Sequence, residues 1–307
     1  MVRGFATLWM IFVQLFDMFF RYSFHYGVFH ETIGKYVNWF PIFMVVAGFS
    51  LRLMFERYVV RKFYWKVLER TIYFAWIGLF LTIWCEFGIS YIEVFDREIV
   101  GAIGINLLLL SLLFPINMIT TDRRYQAACF GCGCFSMIVA NQVFALDGWF
   151  NVFWLQSFMM FGVLLATLRH RNFFWLFAGF ISVLVGLSQI HSVDYGNRNV
   201  EFWFLNVGVI SLILFAASKV RVDVLERTLG YFGRHSLFFY FFHYAIFRRL
   251  LLSLGLLKSF ELIESIALTI ISVTILLMFQ QCYSLVRKRL DLGFVLKRMR
   301  ARIYKKK

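Results

Sequence analysis

Arg3-Gly4-Phe5-Ala6-Thr7-Leu8-Trp9-Met10-Ile11-Phe12-Val13-Gln14-Leu15-Phe16-Asp17 opens the chain with a run apolar enough to cross a bilayer, yet polar in one direction. On a helix at about 100° per residue, Arg3, Met10, Gln14, Asp17 and Arg21 share a stripe about 60° wide, and every other direction is apolar or aromatic. A carboxylate and a primary amide facing acyl chains cost several kcal/mol. The seam is therefore expected to face a protein interior or a water-filled cavity. A helix of this kind satisfies its own backbone hydrogen bonds in lipid, which makes the chain an all-α membrane protein on first reading.

The rest of the sequence agrees. Of 307 residues, 61% are hydrophobic and the mean hydropathy is +0.73, outside the range of soluble domains. Continuous apolar blocks separated by short charged loops exclude an outer-membrane barrel, which needs alternating segments of about ten residues. Ten spans are expected, at roughly 4–20, 37–54, 71–90, 100–117, 126–145, 153–168, 173–190, 203–218, 236–254 and 262–285. Assigning alternate loops to one side collects most of the 32 Lys+Arg there, so both termini are expected to be cytoplasmic. Residues 1–285 form a single transmembrane domain in this reading, and 286–307 a basic cytoplasmic tail that contacts anionic lipid. The net charge of +15 thus belongs to the membrane surface, and with no base-reading module no nucleic-acid partner is expected. With no cleavage site after the first block, no cleaved signal is expected, and the location is a multi-pass plasma membrane.

Several residues carry chemistry beyond span formation. His25, His30 and Glu31 lie in a loop that Gly27 and Gly34 allow to bend, and histidine suits proton transfer near neutral pH. Pro41 reads as a helix start or a kink. Residues 55–70 mix Arg57, Arg61, Lys62, Lys66 and Arg70 with aromatic residues, as an interfacial helix does. Cys129-Phe-Gly131-Cys132-Gly133-Cys134 is read as close helix packing, with neither metal nor disulfide. Late in the chain, Gly233-Arg234-His235-Ser236-Leu237-Phe238-Phe239-Tyr240-Phe241-Phe242-His243 places Ser236, Tyr240 and His243 on one helix face. His243 falls about 10 Å into the membrane, and Gln14 about 16 Å beyond Arg3. The two are deep enough to share a cavity.

Arg3-Gly4-x-Ala6-x-x-x-Met10-x-x-x-Gln14-x-x-Asp17, followed by Phe40-Pro41-x-Phe43 and Ala47-Gly48-x-Ser50, resembles the start of the heparan-α-glucosaminide N-acetyltransferase catalytic family of multi-span membrane acyltransferases. Gly233-Arg234-x-Ser236-Leu237 through Tyr240 to His243 is similar to a late signature of the same family. The resemblance implies transfer of an acetyl or short acyl group from cytoplasmic acetyl-CoA to a sugar amine or hydroxyl outside, without a metal. His25 falls where that family carries a catalytic histidine, as general base or acyl carrier. Gln14 would donate to the thioester carbonyl, and Asp17 would orient a protonated histidine. His243 would complete the catalytic set. Tyr240, Ser236, Arg234 and Arg3 would hold the donor, the arginines through its phosphates. The acceptor would be a glycan or lipid-linked sugar, and a homodimer is left open. A transporter or lipid-exporting channel using the same polar seam is the reading from another class.

Overall fold

The structure is a computed structural model that describes residues 1–20, 39–85, 99–115, 122–144, 152–168, 172–188, 200–219 and 222–289. His25, His30, Glu31, Arg21 and the basic tail lie outside the described residues. The regular structure among those described is helical throughout: α1 Val2–Phe19, α2 Trp39–Arg57, α3 Val60–Cys85, α4 Ile99–Ser111, α5 Arg123–Phe144, α6 Val152–Thr167, α7 Asn172–Ser188, α8 Val200–Lys219 and α9 Asp223–Arg234. Next come α10 Ser236–Phe242, a π-helical segment His243–Arg248, α11 Arg249–Leu254 and α12 Leu262–Arg289. Four helical stretches are long and apolar enough to cross a bilayer: Val2–Phe19, Val200–Lys219, Ser236–Leu254 and Leu262–Val286. Shorter apolar helices accompany them. Large apolar side chains such as Ile263, Phe173 and Met278 stand exposed along the outer helices, as lipid-facing residues do.

α1 is the axis of the bundle. It packs against α2, α8, α9, α10, the π segment and α12. Burial between helices in lipid gains little from the hydrophobic effect, because acyl chains are as apolar as leucine, so close van der Waals fit decides the pairing. Two crossings show this. A Cβ on Gly4 would collide with the Leu229 carbonyl of α9, and one on Gly233 would meet the Gly4 nitrogen at 3.1 Å. Where α2 crosses α6, Gly48 lies against the Met159 carbonyl and Gly162 against that of Val45, again with no room for a Cβ.

The far end of α1 is held by backbone. Gly255 closes α11 in the left-handed conformation with φ +66, as glycine does at a helix C-terminus. The chain then turns so that Lys258 N donates to Met18 O (2.9 Å) and Phe260 N to Phe19 O (3.0 Å). The helix is clamped at both ends by the last third of the chain.

Pro41 is the third residue of α2, so it starts that helix rather than kinking it, at a position where no intrahelical N–H bond is lost. The expectation of an interfacial helix over 55–70 is corrected. The chain breaks at Tyr58 and Val59, and Val60–Cys85 is one unbroken helix of 26 residues. With no proline or glycine between Val60 and Ile77, nothing lets its basic first turns bend away from the apolar remainder. Arg52, at the basic end of the second apolar block, is buried, donating to Gln126 Oε1 (2.8 Å) and pairing through Nε with Glu56 (3.3 Å). The Cys129–Cys134 run packs only in part. Cys134 is buried against the Ser157 carbonyl (3.3 Å) and Gly133 approaches Met160, whereas Cys129 and Cys132 are exposed and Gly131 has open space beside it.

Candidate functional site

The site is built where α1 and α10 run side by side. Both helices point the same way. Arg3 Nε donates to the Gly233 carbonyl, 230 residues later, and Gln14 meets His243, 229 residues later. A constant offset over about three turns means two parallel helices in register. The close approach at Gly4 and Gly233 makes this possible, because side chains about three turns further on then reach one another directly.

Gln14 Oε1 and His243 Nε2 lie 2.5 Å apart, and His243 Nδ1 lies 2.7 Å from the Phe239 carbonyl. His243 is fully buried. Nδ1 faces a backbone carbonyl and must donate, so a neutral ring carries its lone pair on Nε2. The Gln14 carboxamide, whose Oε1 faces that nitrogen, serves the lone pair through its NH2 group once its two ends are exchanged about the side-chain axis. His243 also begins the π-helical segment His243–Arg248. Such segments are rare and recur at functional sites, because the wider turn re-aims a side chain that an α-helix would hold elsewhere.

Beside this pair, and closer to the Arg3 end, is an open-ended cavity of about 130 Å³. Five elements line it: α1 with Arg3 and Met10, α2 with Phe43, Val46, Ala47 and Ser50, α3 with Arg70 and Phe74, α4 with Val100, Ile103 and Leu107, and α10 with Ser236, Leu237 and Tyr240. The polar groups cluster by position along the helices. Arg3, Arg70, Ser50 and Ser236 stand at one end, and Met10, Phe43, Phe74 and Val100 at the other. Two guanidinium groups share the wall and no carboxylate is among the lining residues, so the mouth attracts anions.

Of the eight residues singled out by sequence, Arg3, Ser236 and Tyr240 line this cavity together, and Gln14 and His243 meet just past its far end. Asp17 is half-buried about one turn beyond Gln14 and is not part of the cavity wall. Arg234 is exposed and also outside the wall; its neighbour Gly233 makes the contact, through its carbonyl to Arg3. His25 lies outside the described residues. The cation that sequence reasoning left in a headgroup helix, Arg70, is the second arginine of the cavity. Its signal was its place as the last basic residue before the apolar part of α3. Phe43, Ala47 and Ser50, which belong to the family resemblance, occupy with Val46 positions 0, 3, 4 and 7 of one helix face.

No protein-family model, curated protein or solved structure matches the chain.

Proposed function

We propose that the chain is a multi-pass plasma-membrane acyltransferase, with about ten spans and cytoplasmic termini, that takes an acetyl or short acyl group from cytoplasmic acyl-CoA and passes it to a sugar amine or hydroxyl on the other side. The observation that carries this reading is the alignment, along α1 and the α10 stretch, of a cavity mouth where Arg3 meets Arg70 of α3 with the pair of buried His243 and half-buried Gln14. A donor of this class is an anion at one end and a thioester at the other, joined by a flexible arm. Arg3 and Arg70 match the anionic end, with Ser50 and Ser236 as further hydrogen-bonding groups.

At the far end, His243 is held in one tautomer by the Phe239 carbonyl. Its Nε2 is the atom able to take a proton from the acceptor amine or hydroxyl as that group attacks the thioester carbon. The carbon–sulfur bond breaks, and the proton returns to the departing thiolate. Gln14 orients the ring before reaction, and its NH2 group is placed to turn toward a carbonyl oxygen that gains negative charge. This differs from the role expected for Gln14 from sequence, a donor to the thioester alone, because the amide is already engaged with His243. The alternative expected from sequence, His25 as base or acyl carrier in place of His243, is tested by His25→Ala in the transfer assay.

The test is direct. Purified full-length protein is incubated with labelled acetyl-CoA, and CoA release is followed together with thermal stabilisation by CoA. Stabilisation that falls at least tenfold in apparent affinity in Arg3→Ala and in Arg70→Ala is expected, with transfer lost in His243→Ala. A wild-type protein whose melting does not respond to CoA at millimolar concentration would overturn the reading.

A further inference from the structure

We propose that Met10 is the specificity-determining residue of this site: its side chain ends the donor cavity and decides which acyl groups pass on to His243. The inference rests on the acyltransferase reading for its substrate, and on geometry alone for the barrier. Along α1 the cavity wall runs from Arg3 to Met10, seven residues or about 10 Å, and Gln14 lies one turn, about 6 Å, further on. Met10 and Tyr240 are the deepest wall residues on their respective helices, whereas Gln14 and His243 contribute nothing to the wall. Met10 itself is 1% exposed and His243 0%. The anion-attracting mouth and the proton-accepting ring therefore belong to one axis, interrupted by a single side-chain layer.

The two residues of that layer are not equivalent. Tyr240 has its ring parallel to that of Tyr244, at a 5° interplanar angle, and beside His243 at 5.6 Å, so turning it aside breaks contacts on both sides. Methionine is unbranched with three rotatable bonds, and it can swing aside without backbone movement. Met10 is thus the movable half of the barrier. A thin acyl group that enters while the thioether swings aside reaches His243. A longer chain has to fit alongside the displaced thioether and does not.

Two measurements test this on the full chain. In a background with the native cysteines replaced, His243→Cys is exposed to a small anionic methanethiosulfonate. Modification is expected to be slow with Met10 present, and at least tenfold faster with Met10→Ala or the milder Met10→Val. Met10→Phe slows it further, and Met10→Leu, of similar volume but branched and with fewer rotatable bonds, slows it as well. Equal rates with Met10 and Met10→Val, in proteins of matching melting temperature, overturn the barrier. In the second measurement, the ratio of octanoyl to acetyl transfer in the protein with His243 intact rises at least tenfold in Met10→Val. An unchanged ratio overturns the specificity role. Failure of the wild type to transfer any acyl group would sink the enzymatic reading while leaving the labelling contrast intact, so the two failures are distinguishable.

Discussion

α1 and α12 are both long apolar helices with a polar stripe, and they pack against each other, yet the stripes are built for different ends. On α12 the buried stripe is Ser265, Thr269, Ser272 and Gln280. Its hydroxyls bond locally: Thr269 Oγ1 donates to the Ser265 carbonyl four residues back (2.7 Å), the usual way a hydroxyl is satisfied within a helix, and Ser265 Oγ donates to the Phe260 carbonyl just before the helix (3.4 Å). Gln280, buried, takes its partner from Tyr231 on α9. On α1, Thr7 likewise donates to its own helix, to the Arg3 carbonyl (2.7 Å). Gln14 instead reaches 229 residues along the chain to a fully buried imidazole. A long amide in an apolar layer demands a tertiary partner where a hydroxyl does not. A polar residue whose bond closes within its own helix therefore marks no site, and the long amides, Gln14 and Gln280, are the ones that report tertiary structure.

The sharpest way to break that contrast is at the crossing that sets the register. Gly4→Val places a branched side chain into the Leu229 carbonyl and should cost several kcal/mol, enough to lose monodisperse protein in size-exclusion chromatography. Gly131→Val, where nothing lies within 4 Å, should be recovered at wild-type yield. Next in size is Gln14→Leu. It leaves the His243 Nε2 facing an apolar group, and a melting shift equivalent to about 1–3 kcal/mol is expected. A thermal melt indistinguishable from wild type would show that the pair is not formed. The smallest effect belongs to α12: Thr269→Val removes a bond that only its own helix receives, and the change should stay within about 0.5 kcal/mol. An effect of Thr269→Val as large as that of Gln14→Leu would erase the distinction between the two stripes.

How much of this was legible in the residues can be argued element by element. The helical segments were visible because an uninterrupted apolar run has one way to satisfy its backbone in lipid, and its length is set by bilayer thickness. The polar direction of α1 was visible because a helix maps spacing onto angle. The face carrying Ser236 and Tyr240 was visible for the same reason, and both line the cavity. Hidden were the continuity of α3 through its basic first turns, the burial of Arg52, and the part played by Arg70. Each depends on what lies opposite: a charge is solvated in a loop and paired in a bundle, and the local sequence reads alike in both.

Composition and periodicity alone determined that this is an all-helical chain made for an apolar medium, with a polar seam on its first helix and another polar face near residue 240. The tertiary structure decided which way those two faces turn, and so that Gln14 meets His243 while Asp17 and Arg234 stay outside the cavity wall. The reason is the range of the forces involved. Hydrogen bonds along a helix are closed within four residues, whereas the pairing of residues 229 apart rests on close contact at Gly4 and Gly233, where the space of a single Cβ sets the register of everything beyond.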